Sequence, residues 1–389
     1  MTSPVRAIVR DAFPTRLALF YGAAFAIHGI QLPFFPVWLK AKGLDAEAIG
    51  LVLAAPMLLR MVTVPLAARA ADRRGALRAG LIATSLAGTM AYGVIGLAEG
   101  FLPILAAVAL AGVFTTPLLP LLDAYALKGL ALRGRAYGPV RLWGSVAFIA
   151  ANFGAGALAG LIAPTGTIWL IVGGYGVAVM AAFGLRPLSP SAAAAASLPP
   201  ARGRVLPSGR FLAVAVAASL VQASHAVYYG FSTLDWGAKG LGGSAIGALW
   251  ALGVLAEIAL FAVAGRLPAA LGAGGLLAIG AGGAVVRWSA MALDPPLVLL
   301  PLLQCLHGLS FGAAYLGAVQ YLAAAAPDGR AATVQGDFST VQAIVMTAAT
   351  GLSGVLYGSF GGLAYAAMAL LAGAGGLIAL TVRVAPSAP

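Results

Sequence analysis

Residues 253–265 read GVLAEIALFAVAG, small and aliphatic side chains around one carboxylate, Glu257. A stretch this apolar belongs either to the core of a large soluble domain or to a helix that crosses a membrane, and composition separates the two. Of 389 residues, 61% are hydrophobic and 9% are charged, against about half and about a quarter in an ordinary soluble domain. The chain therefore belongs in a bilayer. Its apolar runs reach the eighteen or so residues that a helix needs to span, and they lack the strict alternation over about ten residues that marks a strand of a membrane barrel.

Working outward from Glu257, with Gly, Pro and charge clusters as punctuation, the sequence predicts spans at 16–38, 46–68, 77–98, 101–127, 139–162 and 166–186. Six more follow at 210–234, 244–265, 271–291, 296–324, 331–357 and 361–383. The expectation is an all-α polytopic membrane protein with twelve transmembrane helices in two pseudo-symmetric bundles, residues 1–186 and 210–389. Between them RPLSPSAAAAASLPPARGRVLPSGR has the composition of a linker, assigned to 187–209. The halves echo each other weakly: LAARAADRRGALRAGLI follows span two and AVAGRLPAALGAGGLLAI follows span eight, with Arg69 and Arg266 about half a chain apart. Arg6, Arg10 and Arg16 before the first apolar run superficially suggest a signal peptide, but that run continues to about Trp38 and reads as a first span.

The net charge of +12 is spread through short loops, which argues against nucleic acid. Seventeen Lys and Arg fall on the side of both termini and the linker; only Lys40, Lys42 and Lys239 fall on the other. The positive-inside rule then puts both termini in the cytoplasm, in an inner membrane. Cys305 is the only cysteine, so no intrachain disulfide can form.

Five charged residues lie well inside spans: Arg60, Asp123, Arg141, Glu257 and Arg287. Each would cost several kcal/mol facing lipid, so they are expected to face one another or a wet cavity. Around them run polar and aromatic stripes at helical spacing: Arg141, Ser145, Phe148 and Asn152; Gln222, His225, Tyr229 and Ser232; Gln304, His307, Phe311 and Tyr315. Span one adds Tyr21, Phe25, His28 and Phe35, and span eleven adds Gln335, Phe338 and Gln342. Such stripes can line a solute cavity, with rings for an organic body and polar groups to orient it. For His28, Asn152, Gln222 and Gln342, hydrogen bonds between neighbouring helices are the competing reading; Arg60 and Asp337 could instead snorkel or join a gate.

These residues resemble the major facilitator superfamily, two six-helix bundles around a cavity that opens alternately to either side. In ARAADRRGALR the loop after span two keeps Asp72, Arg73, Gly75 and Arg78 of that family's gating motif, while Ala68 stands for the leading Gly and Ala76 with Leu77 interrupts the basic tail. LPFFPVWLKAKGL, YGPVRLWGSVAF, HAVYYGFSTLDW, ALWALGVLAEIALF and VVRW are similar to the phenylpropionate permease branch, related to nucleoside and lactose proton symporters. The resemblance covers nearly the whole chain and implies roles. Asp123 and Arg141 would hold substrate, and Glu257, Arg287 and His307, with Asp123, would couple protons. The acid that the lactose pattern carries three residues after His307 is replaced by Ser310, which leaves Glu257 as the leading proton carrier. The expected substrate-binding set is Arg141, Asp123, Trp143, Asn152, His28, Gln222, His225, Tyr229, Gln304, Phe311 and Gln335.

The expected function is proton-coupled import of a small organic solute, an aromatic carboxylate such as a phenylpropionate-like acid, by alternating access. The alternatives are a nucleoside or sugar symporter, a drug/proton antiporter, and a solute sensor that does not transport. No nucleophile and base, no metal-ligand cluster and no cofactor motif occurs at a useful spacing, so no enzyme, metal or cofactor is expected. The partners are the solute, protons and lipid, and the chain is expected to be a monomer.

Overall fold

A computed structural model describes residues 12–188, 208–268, 271–325 and 331–381, apart from the side chains of 72–74, 325 and 331–333. Arg6, Arg10 and nearly all of the expected linker 187–209 lie outside the described residues.

Among the described residues, eleven helical segments are long and apolar enough to cross a membrane. The last, Val334–Thr381, has 48 residues, about 72 Å as one helix at 1.5 Å per residue and more than twice the hydrocarbon thickness. Gly361, at φ 53°, breaks it. It therefore holds two spans, α14 (Ala331–Phe360) and α15 (Ala364–Thr381), making twelve.

The first six spans are α1 (Phe13–Ala41), α2 (Ala46–Arg74), α3 (Leu77–Leu97), the pair α4 (Phe101–Thr115) and α5 (Leu118–Ala131), α6 (Gly138–Ala159) and α7 (Thr167–Gly184). The second six begin with the pair α8 (Gly209–Ala223) and α9 (Ala226–Ala238), then α10 (Gly243–Val263) and α11 (Gly272–Ala292). A tenth span joins α12 (Leu300–Cys305) to α13 (Ala314–Ala325) through a π-helical turn at Gly308–Ala313. Spans four, seven and ten were expected to be continuous. The breaks in spans four and seven have local causes. Pro117 lacks an N–H, and Thr115 and Thr116 bond back to Ala111 and Gly112 carbonyls; Ser224 does the same to Val221.

Buried apolar side chains form two clusters, one around Phe20, Trp38, Leu81 and Tyr125, the other around Val221, Trp236, Ala284 and Trp288. The bundles meet along two seams, α2 against α14 and α6 against α10. Span two pairs with eleven, and eight with five, so exchanging the halves maps one seam onto the other. Lipid tails are as apolar as leucine, so these seams are held by close approach rather than by exclusion of water. A Cβ on Gly243 would stand 2.3 Å from the Gly156 carbonyl, one on Gly247 2.3 Å from that of Asn152, and one on Gly354 2.4 Å from that of Ala46. Only glycine fits at these points, and all of them lie toward the end of the molecule that carries the loops at 42–45 and 239–242.

Candidate functional site

The three helix breaks sit at the heart of the molecule. Backbone groups released at such breaks, inside protein, are available to side chains or solutes. Here the Phe311 carbonyl, in the π turn, accepts from Gln222 Nε2 at 3.3 Å.

Beside it lies a buried polar cluster centred on Arg287, whose side chain is fully enclosed. Arg287 donates through Nη2 to Gln304 Oε1 at 2.6 Å, and through Nη1 to His307 Nδ1 at 2.9 Å and Ser310 Oγ at 3.3 Å. Its guanidinium also lies over the rings of Tyr228 and Trp288. Among the described residues, no carboxylate touches it.

The bonding assigns the histidine tautomers. A guanidinium only donates, so His307 Nδ1 must be the acceptor and its proton sits on Nε2. That Nε2 points at Glu257 Oε2, 3.9 Å away. His225 Nδ1 faces the Gln222 carbonyl at 3.1 Å and must donate, which leaves Nε2 to accept from Ser310 Oγ at 3.1 Å. Ser310, where the lactose pattern has an acid, thus bridges Arg287 to His225.

Two connected cavities open beside this cluster. The smaller, about 280 Å³, is lined by Arg141, Ser145, Glu257 and His307 with Tyr228, Trp250, Val254 and Phe311. The larger, about 390 Å³, is lined by His28, Gln31, Arg60, Thr115 and Thr116 with Phe35, Tyr92 and Tyr175. Phe25, Leu32, Phe148 and Tyr229 wall both. Arg141 lies flat over Phe25, 3.9 Å from the ring centre. Gly144 leaves the space for this, since a Cβ there would stand 2.8 Å from Phe25.

Of the expected residues, Arg141, Glu257, His307, Tyr229, Phe311 and His28 border the cavities. Arg287, Gln304, His225 and Gln222 form the enclosed cluster behind the smaller one. Asp123 is elsewhere: its Oδ1 accepts from Tyr21 at 2.6 Å and Tyr137 at 2.9 Å, and it makes no ion pair with Arg141. Asn152 is buried, its backbone carbonyl in the α6–α10 seam and its side-chain amide against Gly29 of α1, donating to the Phe148 carbonyl. Trp143 is 58% exposed on the outer face of α6, beside Leu142 and Val146. Gln335 is exposed and lines neither cavity. Arg78 of the loop motif donates to the Leu185 and Phe183 carbonyls, tying the start of α3 to the end of α7. Gly75 takes φ 57°, as the turn between α2 and α3 requires; the side chains of Asp72 and Arg73 lie outside the described residues. Sequence reading missed Tyr137, Tyr228 and Trp250. Tyr228 and Trp250 are rings on apolar helices and Tyr137 immediately precedes α6, and nothing in local spacing marks their contacts. Among the described residues, no group of three metal-ligating side chains forms.

Residues 14–370 match the family profile described as MFS_1 like family. The chain is 35% identical over 315 residues to the "Probable 3-phenylpropionic acid transporter" of Escherichia coli (strain K12), covering 79% of this chain and 82% of that one. It is 30% identical over 339 residues to the maltose permease of Geobacillus stearothermophilus, covering 84% and 83%. The crystal structure of the nucleoside transporter NupG superimposes with a TM-score of 0.80 at 15% identity, over 95% of this chain and 98% of that one. Fold, family match and relatives agree: the chain belongs to the MFS_1-like family of the major facilitator superfamily, and it is a secondary transporter rather than an enzyme.

Proposed function

We propose that the protein couples proton movement to uptake of an aromatic carboxylate across the inner membrane. The observation that carries this reading is one carboxylate, Glu257, and one guanidinium, Arg141, lining the same aromatic-walled cavity. An ionised Glu257 competes with a solute carboxylate for Arg141. Protonation of Glu257 removes the competitor and leaves Arg141 free to hold the solute, so proton and anion bind together. A planar guanidinium suits a carboxylate because it can donate two parallel hydrogen bonds. His307, with its proton on Nε2, faces Glu257 and steadies its ionised form, while Arg287 holds His307 in that tautomer.

Several features favour an acid over a neutral sugar. Both cavities contain an arginine, no carboxylate among the described residues lines the larger, and aromatic rings make up half of the smaller cavity's lining. The name of the Escherichia coli relative points the same way. With termini in the cytoplasm, the seams close the outer end, and the state described here faces inward.

The test is reconstitution in liposomes with external pH followed during addition of phenylpropionate-like acids, nucleosides, sugars and cationic drugs. The reading expects external alkalinisation with the aromatic acids, lost in Glu257→Gln. Alkalinisation with sugars alone, or acid uptake without any pH change, would overturn it.

A further inference from the structure

The larger cavity is not needed by the coupling scheme, and its chemistry is distinct. Arg60 sits at the midpoint of α2, solvent-exposed and lining the larger chamber. Its guanidinium has no hydrogen bond or ion pair among the described residues, and no Asp or Glu lines the chamber it enters. The other polar groups there are largely committed. Thr115 and Thr116 donate to backbone carbonyls of their own helix, Gln31 Nε2 donates to Tyr92, and His28 Nδ1 bonds to the Ala24 carbonyl. Arg60 is therefore the chamber's free donor, and it carries a full positive charge.

The position of this chamber matters as much as its charge. It joins the Arg141 chamber through Phe25, Phe148 and Tyr229, three rings that face both spaces. A planar ring held at that shared wall lies between the space lined by Arg141 and the space lined by Arg60. A single carboxylate uses only the first.

We propose that Arg60 forms a second anion subsite, so that the transporter takes aromatic dicarboxylates, with one carboxylate on Arg141, the ring in the shared neck and a second carboxylate on Arg60. The inference rests on the aromatic-acid reading above and adds the far end of the solute to it. Arg60 is exposed to this chamber, so a solute carboxylate can reach its planar fork and accept two parallel hydrogen bonds, a pairing that a neutral group does not reproduce.

The experiment is equilibrium binding by calorimetry to the purified full-length protein in detergent, with 3-phenylpropionate and its para-carboxy derivative as probes. The expected result is about tenfold tighter binding of the dicarboxylate, the order of one charge-assisted pair. In Arg60→Gln that advantage disappears while phenylpropionate affinity stays the same. Arg60→Lys, which keeps the charge without the planar fork, retains part of it and serves if the Gln variant does not fold. Equal affinities in the unaltered protein, or an advantage that survives both substitutions, overturn the subsite. Failure of the aromatic-acid reading looks different: neither probe is taken up by liposomes in exchange for a pH change, whatever the ratio of their affinities.

Discussion

Nε2 of His307 stands 3.9 Å from Oε2 of Glu257, with Arg287 bonded to the opposite nitrogen of the same ring. The imidazole is thus held between a buried cation that only donates and a cavity carboxylate that can accept. A proton on Glu257 weakens one side of this arrangement and leaves the other intact, which is the property a coupling residue needs.

Glu257→Gln should abolish uphill accumulation while leaving exchange. Under an imposed pH step of one unit, a one-proton symporter concentrates its solute about tenfold, since one unit is worth about 1.36 kcal/mol. In the variant the ratio should fall to about one, with counterflow of labelled acid persisting. Retained accumulation in proteoliposomes would remove Glu257 from the role.

Arg141→Lys keeps a positive charge but loses the paired donors and the flat contact with Phe25. Half-saturation for the acid should rise about tenfold, a loss of roughly 1.4 kcal/mol. Concentration dependence of uptake measures it.

The closed end of the α2–α14 seam offers a direct reading of conformation. A Cβ on Gly358 would lie 3.5 Å from Cβ of Ala46, inside the range a disulfide bridges. In a Cys305→Ser background, Ala46→Cys with Gly358→Cys should oxidise readily and stop transport, and reduction should restore it. Adding Gly243→Leu, whose side chain would collide with the Gly156 carbonyl, should lower cross-linking several-fold by opposing closure of the partner seam. Unchanged cross-linking would show that the two seams close independently.

Tyr21→Phe removes the shorter of the two hydrogen bonds that hold Asp123. A hydrogen bond to a charged group contributes about 1.5–3 kcal/mol, and Tyr137 remains to keep the carboxylate partly satisfied. The melting temperature in detergent should fall by a few degrees, and by more in the double variant with Tyr137→Phe.

Outside the membrane, Lys239 bridges Asp235 at 2.9 Å and Asp294 at 2.5 Å, joining the end of α9 to the turn after α11. Burial alone lowers its pKa, but hydrogen bonds to Asp294 and Asp235 outweigh this and raise it above 10.5. A group raised on folding stabilises below its unfolded pKa, and the contribution vanishes as pH climbs through the folded value. Thermal stability should therefore lose this component only above about pH 10.5, and Lys239→Gln should flatten that alkaline step. The same step in the variant would assign it to another group.

Composition and spacing alone carry the all-helical membrane fold and the twelve spans, because the cost of bare backbone and charge in lipid leaves few arrangements for so apolar a chain; the family was legible only as a resemblance in stretches such as YGPVRLWGSVAF and ARAADRRGALR. They also single out Glu257, Arg141, Arg287 and His307, since an ionisable residue in a run such as GVLAEIALFAVAG stands out without any structure. Which of these groups meet was not legible. Helical spacing placed Asn152 and Arg141 on one stripe, yet the Asn152 amide packs against Gly29 of α1 while Arg141 faces the cavity. Asp123 and Arg141 looked like partners, but two tyrosines from α1 and the start of α6 reach the carboxylate instead. Trp143 and Gln335 carry the right chemistry on the wrong face. A periodicity of 3.6 specifies a direction around one helix, whereas a partner depends on how neighbouring helices rotate and break, and that is decided by long-range packing at Gly50, Gly156, Gly243 and Gly354.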